Sequence, residues 1–295
     1  MDATEDTDGA GADTDGADDI TADVTADVTT DVTADVKAEA DGADVKADGL
    51  GLEGPRGWAF RGITLHAEPG SLIAIEGPSG SGRTCLLLAL TGRMKPTEGV
   101  ASVGGFTLPR RMAAVRRVCA VANVAGVTDL EPALTVGEHL RERALLQRRF
   151  GDSPRELLHP RARRRRARQR VDAALAAAGL DPETLPKGLR TAVRDLERPQ
   201  ELRLSLALAL LGRPRLLGVD DVDMKLSDAE RAEVWDLLRS LTRAGTTVVA
   251  VCRTAPEGCV SVSTERDEPG DVRNDSNDPG DRKEKADALT EAGRA

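Results

Sequence analysis

Residues 77 to 84 read Gly77-Pro78-Ser79-Gly80-Ser81-Gly82-Arg83-Thr84 and match the pattern G-x-x-x-x-G-K-[ST] at every fixed position except the lysine, which is Arg83. A loop of this kind commits the chain to one local architecture. Its glycines let successive backbone N–H groups curl toward an anion at a helix N-terminus, which requires a strand to enter the loop and a helix to leave it. Residues 71–76 form a short apolar, strand-compatible run, and residues 85–90 open an apolar helix that Gly92 stops. Strand, loop and helix are therefore expected in that order, with residues 77–85, Cys85 included, as the candidate phosphate-binding segment. Arg83 keeps the positive charge of the missing lysine but brings a longer, planar head with five donors. Phosphate binding is expected to survive this exchange where catalysis falters.

Composition divides the chain into three parts. Residues 1–48 hold 16 acidic residues and two lysines, no aromatic residue, and near-repeats such as Thr21-Ala22-Asp23-Val24 and Thr25-Ala26-Asp27-Val28. Such a segment has too little apolar surface to offset the entropy of ordering, and is expected to be a disordered acidic tail. Residues 256–295 carry 11 acidic and 6 basic residues with two Pro-Gly pairs, and are expected to be a second, polar tail. The overall charge of −9 conceals a basic middle, because residues 49–255 contain 33 basic and 23 acidic residues. That middle is long enough for one sizeable domain, whose core must rest on Leu, Val and Ala.

Apolar runs at 101–103, 118–124, 216–220 and 246–252 have the form of strands. They interleave with helical patterns at 136–149, 164–178, 200–211 and 227–243. The alternation predicts an α/β domain with a mainly parallel sheet, with ligands at the carboxyl ends of the strands. No run reaches the roughly 18 apolar residues of a bilayer span, and the N-terminus is acidic where a signal peptide would be basic, so a cytoplasmic location is expected. Cys85, Cys119, Cys252 and Cys259 show no metal-like spacing and are expected to be reduced thiols. His66, His139 and His159 are isolated and read as structural.

Further segments carry a specific likeness. Thr91-Gly92-Arg93-Met94-Lys95-Pro96-Thr97-Glu98-Gly99 follows the loop helix, then Leu134-Thr135-Val136-Gly137-Glu138, then residues 203–214, rich in Leu and Ala, leading into Leu216-Leu217-Gly218-Val219-Asp220-Asp221. In this order they resemble the nucleotide-binding subunits of ATP-binding cassette (ABC) transporters over residues 50–255. Nucleoside and nucleotide kinases share the glycine loop but are not expected to show the later segments. The resemblance implies a phosphate-loop NTPase fold of the ABC ATPase type, with a helical subdomain at about 125–200, and ATP and Mg2+ as cofactors.

Carried over residue by residue, the resemblance shows a pattern of damage. Thr84 and Asp220 take the positions of the two magnesium-holding residues, and both are intact. The family's water-polarising glutamate is Asp221, one methylene shorter, and a displacement of about 1 Å can cost roughly a hundredfold in rate. The glutamine that contacts magnesium and the attacking water is Asn123, and the switch histidine after the last strand is Arg253, a fixed cation. Ser227 takes the place of an aspartate, and Trp58 lies closer to the phosphate loop than the family's usual adenine-stacking aromatic. The Leu-Ser-Gly-Gly-Gln signature, which reaches across a dimer to the partner's γ-phosphate, reads Leu196-Glu197-Arg198-Pro199-Gln200 here. Glu197 brings a negative charge to that phosphate and Pro199 lacks an N–H.

These residues imply a subunit that binds Mg-ATP with weak or impaired hydrolysis, Asp221, Asn123 and Arg253 being its catalytic candidates. Its implied partners are a membrane-spanning transporter subunit at the inner face of the cell membrane and a second, intact ABC ATPase subunit. A regulatory ATP-binding protein and a nucleic-acid-associated ABC-type protein are the alternatives. Residues 161–170 hold seven arginines. They read as a solvated helix face first and as a docking face for acidic groups second. No aromatic residue interleaves with them for base stacking, which argues against nucleic acid as a partner.

Overall fold

The computed structural model describes residues 42–151 and 160–265 of the chain. Strand β3 (Leu72–Glu76), which feeds the glycine loop, is apolar in four of its five residues and buried over those four. It joins a five-stranded parallel sheet in the order β6-β7-β8-β3-β9, with β6 at Cys119–Ala122, β7 at Leu216–Val219, β8 at Thr247–Val251 and β9 at Val260–Ser263. Strands β6, β7 and β8 are buried at every residue, which is why they read as continuous apolar runs rather than as alternations.

A second, antiparallel sheet has the order β2-β1-β4-β5, formed by β1 (Val45–Gly54), β2 (Gly57–Ala67), β4 (Glu98–Val103) and β5 (Phe106–Leu108). Helix α1 (Arg83–Leu90) packs between the two sheets. Its Leu86, Leu87 and Leu90 are fully buried in one cluster with Leu50, Phe60, Ile73 and Ile75. Each such side chain withdrawn from water contributes about 2 kcal/mol.

The other face of the parallel sheet is covered by helices. Helix α2 (Met112–Val118), whose buried Val115 belongs to the α1 cluster, leads into β6, and α3 (Val136–Gly151) and α4 (Pro160–Ala177) follow on the other face. Three short 3-10 turns then connect to α5 (Arg198–Leu210), and α6 (Asp228–Arg243) precedes β8. Leu140, Leu175, Leu202, Leu206, Trp235 and Leu238 form a second core cluster beneath them with Leu217 and Val219 of β7. The sheet thus has one apolar layer on each face, and the carboxyl ends of β3, β6, β7 and β8 meet at one edge.

Two expected boundaries move. The acidic tail drawn to residue 48 ends earlier, because Val45–Asp48 already belongs to β1: Val45 and Ala47 are buried while Lys46 and Asp48 are exposed. The tail drawn from residue 256 starts later, because Val260–Ser263 pairs in parallel with β3 from Ile73↔Val260 to Glu76↔Ser263. In both segments every second residue finds an apolar environment, which local composition conceals. Residues 1–41 and 266–295, the greater part of the expected tails, lie outside the described residues.

Candidate functional site

The glycine loop turns where its sequence permits. Gly77, Gly80 and Gly82 have φ of 146°, 85° and 88°. At Gly82 a Cβ would stand 2.1 Å from the carbonyl oxygen of Ala59, so β2 closes over the loop at a distance only glycine tolerates. Helix α1 then starts with no side-chain cap on Gly82 and no acidic residue in its first turn. The positive end of the helix is left open toward the loop, as an anion site requires.

The rest of the loop is braced by the end of the parallel sheet. Ser81 Oγ lies 2.5 Å from Thr264 Oγ1, and Thr264 donates its backbone N–H to the Glu76 carbonyl at 3.0 Å. Arg83 Nη1 donates to the Cys252 carbonyl just beyond β8 at 2.5 Å. Cys252 itself is fully buried, and burial pushes its thiol up to about 12. Cys119 is likewise pushed up to about 12 by burial, and all four cysteines are free thiols, as expected.

Thr84 and Asp220 meet. The threonine hydroxyl donates to Asp220 Oδ2 at 2.8 Å, while the Asp221 N–H donates to Asp220 Oδ1 at 3.1 Å. Asp220 is 3% exposed. Burial raises its carboxyl above the usual range and the neighbouring Asp221 charge adds to this, while the Thr84 hydroxyl opposes it. One hydroxyl and one buried carboxylate converging beside an open helix start fit a small divalent cation, which takes oxygen donors and completes its shell with phosphate and water. Among the described residues no group of three or more His, Cys, Asp or Glu residues could form a cage of its own.

Asn123 and Asp221 both adopt left-handed backbone, with φ of 57° and 46°. Such conformations are uncommon outside glycine and are held in place by surrounding contacts. Asn123 has three: its N–H donates to Ser205 Oγ at 2.8 Å, its Nδ2 donates to the Asp220 carbonyl at 2.7 Å, and its Oδ1 accepts from Arg198 Nη2 at 3.1 Å. The Arg253 backbone N–H donates to Asp223 Oδ2 at 2.7 Å, and Arg253 lines a cavity of about 550 Å3 with Gly77, Pro78 and Ser79.

The signature segment forms the start of α5. Glu197 donates its backbone N–H to Gln200 Oε1 at 3.1 Å, Pro199 lies in the first turn, and Arg198 Nη1 donates to Glu201 Oε2 at 3.0 Å. Ser227 caps α6 through a reciprocal pair with Glu230. Trp58 faces Glu53 across the β1–β2 hairpin, with the Arg61 guanidinium 4.5 Å from its ring centroid. Arg164, Arg165, Arg168 and Arg170 are exposed on α4, while the side chains of residues 161–163 lie outside the description. His66 contacts Glu68 and His139 contacts the Glu131 carbonyl; His159 lies outside the described residues.

The structure therefore brings Thr84, Asp220, Asp221 and Asn123 to one corner beside the loop. Sequence reading missed the Thr264 brace, the Arg83 anchor and the Arg198–Asn123 contact. Each joins residues between 75 and 183 positions apart, and no local spacing signals them.

Comparison with known proteins gives a consistent picture. A family model described as ABC transporter matches residues 60–223. The chain is 31% identical over 188 residues to Nod factor export ATP-binding protein I of Burkholderia thailandensis, covering 64% of this chain and 55% of that protein. It is 32% identical over 191 residues to daunorubicin resistance ATP-binding protein DrrA3 of Streptomyces coeruleorubidus, covering 65% of this chain and 54% of that protein. The chain spans about half the length of the curated relatives it matches. Among solved structures it resembles a dimeric ATP-binding cassette in a post-hydrolysis state bound to ADP and Pi, with a TM-score of 0.54, 25% identity, and coverage of 71% of this chain and 88% of that one. It also shares the fold of cbiO1 from Clostridium perfringens, with a TM-score of 0.57 at 19% identity over 72% of this chain and 80% of that one.

Proposed function

The chain belongs to the ABC transporter family, and on that premise we propose that it is the subunit that binds ATP with Mg2+ on behalf of a membrane-spanning transporter partner. The observation that carries this reading is the Thr84–Asp220 contact at 2.8 Å beside the uncapped start of α1. In this reading the amides of residues 77–85 cradle the phosphates, and Thr84 and Asp220 hold the metal. Magnesium, when bound, offsets phosphate charge. Asp221 is the candidate base, and Asn123 and Arg253 face the terminal phosphate.

Hydrolysis by the chain alone is weak in this reading. Asp221 is a short carboxylate, and the Arg83 guanidinium is engaged by the Cys252 carbonyl. Glu197 and Pro199 give the start of α5 a negative charge and one donor fewer for a partner's nucleotide. The chain therefore pairs with a different, intact ATPase subunit rather than with itself, and works at the inner face of the membrane. No helix among the described residues is long and apolar enough to cross a membrane.

Equilibrium titration with a fluorescent ATP analogue tests the core of this proposal. Binding is expected to saturate in Mg2+, and Thr84→Ala is expected to weaken it on the order of tenfold in Mg2+ but far less in EDTA. No saturable binding up to millimolar nucleotide would overturn the proposal.

A further inference from the structure

The start of α5 is tied to its own chain's metal corner through one side chain. Arg198 donates from Nη2 to Asn123 Oδ1 at 3.1 Å and from Nη1 to Glu201 Oε2 at 3.0 Å, and its side chain is 26% exposed. Asn123 passes the connection on through Nδ2 to the Asp220 carbonyl, and Asp220 passes it through its carboxylate to Thr84. Hydrogen bonds and one aspartate thus run from α5 to α1 through the two groups assigned to the metal. Arg198, Asn123 and Asp221 also line one cavity of about 250 Å3.

The orientation of the amide matters here. An asparagine side chain offers a cation only its oxygen, since the nitrogen is a donor. In this structure the nitrogen is committed to Asp220 and the oxygen to the Arg198 guanidinium. A guanidinium and a divalent cation near the same oxygen repel each other, and the repulsion is stronger in a partly buried cavity than in water.

We propose that Arg198 is a positioning residue that opposes the metal. It holds Asn123 in the metal-free orientation and withdraws toward Glu201 when Mg2+ enters with the nucleotide. Metal occupancy of the chain's own site is thereby coupled to release of the α5 start. The coupling is reciprocal: whatever the contact costs the metal, the metal costs the contact. The signature segment, whose Glu197 side chain and Pro199 nitrogen offer no donor to a partner's phosphate, acts through Arg198 on its own chain. This inference rests on the Mg-ATP reading above.

The test is binding of the fluorescent ATP analogue to the full chain, titrated with Mg2+ and repeated in EDTA. Arg198→Ala is expected to lower the Mg2+ concentration at half-saturation roughly fivefold while binding in EDTA stays within about twofold. Arg198→Gln keeps length and a donor at the head of α5 without the charge, and is expected to shift the Mg2+ requirement in the same direction even if the alanine variant folds poorly. An unchanged or raised Mg2+ requirement in these variants, or an equal change with and without Mg2+, overturns the inference. If the unaltered chain binds no nucleotide at any Mg2+ concentration, the Mg-ATP reading itself fails and this inference falls with it.

Discussion

Helices α1 and α5 both begin at the rim of the parallel sheet, yet one start is open and the other is closed by its own side chains. Before α1 stands Gly82, with no side-chain cap and no acid in the first turn. Before α5 stands Glu197, bound through its N–H by Gln200, with Glu201 in the first turn and Arg198 reaching back to Asn123. A helix start receives a phosphate only while the chain supplies no internal acceptor for its amides and no competing negative charge. In this chain the start of α1 is built on glycine backbone, with φ of 146°, 85° and 88° at Gly77, Gly80 and Gly82. The start of α5 offers Glu197, Arg198 and Pro199 instead of a hydroxyl and glycine N–H groups.

The comparison can be broken by attacking its open member first. Gly82→Ala places a methyl group against the Ala59 carbonyl in left-handed backbone, and we predict a loss of about 3 kcal/mol in urea unfolding. Unchanged stability would mean that the loop relaxes freely and is no rigid cradle. Opening the closed member has the next largest effect. Replacing residues 197–199 with Ser-Gly-Gly restores a hydroxyl and N–H donors and removes a negative charge, so Mg-ATP should tighten self-association by about tenfold, read as mass in solution. A mass that ignores both the replacement and Mg-ATP would move the obstacle to Arg83 or Ser227.

The smallest expected effect sharpens the comparison. Arg83→Lys loses the contact with the Cys252 carbonyl, and we predict that the nucleotide-free chain becomes about 1 kcal/mol less stable to heat while its affinity for Mg-ATP rises. The opposite signs distinguish a side chain recruited for bracing from one kept for phosphate. A simultaneous loss of stability and of affinity would show that the guanidinium leaves the carbonyl for the nucleotide.

Much of the fold was legible because buried parallel strands and the loop that follows β3 have strong local signatures. The apolar runs at 216–220 and 246–252 became β7 and β8, and the helical patterns at 136–149 and 227–243 became α3 and α6. The β1–β2 hairpin was not legible. Val45 and Ala47 alternate with Lys46 and Asp48 inside a run of acidic repeats, so the period of two was present but outweighed by composition. Within the site, Thr84 and Asp220 were legible as a pair through their motifs. What Arg83 and Arg198 do was not, because a long flexible cation finds its acceptor only after the sheet has brought distant segments together.

Strand β9 carries a consequence for anyone who shortens this chain. A protein cut at residue 255, where composition suggests the domain ends, would lose the neighbour that pairs with β3 from Ile73 to Glu76. The flank of the strand that feeds the glycine loop would then present unpaired N–H and C=O groups to solvent, a template on which other chains add and aggregate. The same cut would leave Ser81 without Thr264. Material that keeps the β3–β9 pairing and the Thr264 brace therefore requires a C-terminus at or beyond Glu265, and insoluble protein from a shorter version would reflect a stripped sheet edge rather than an inability of the fold to form.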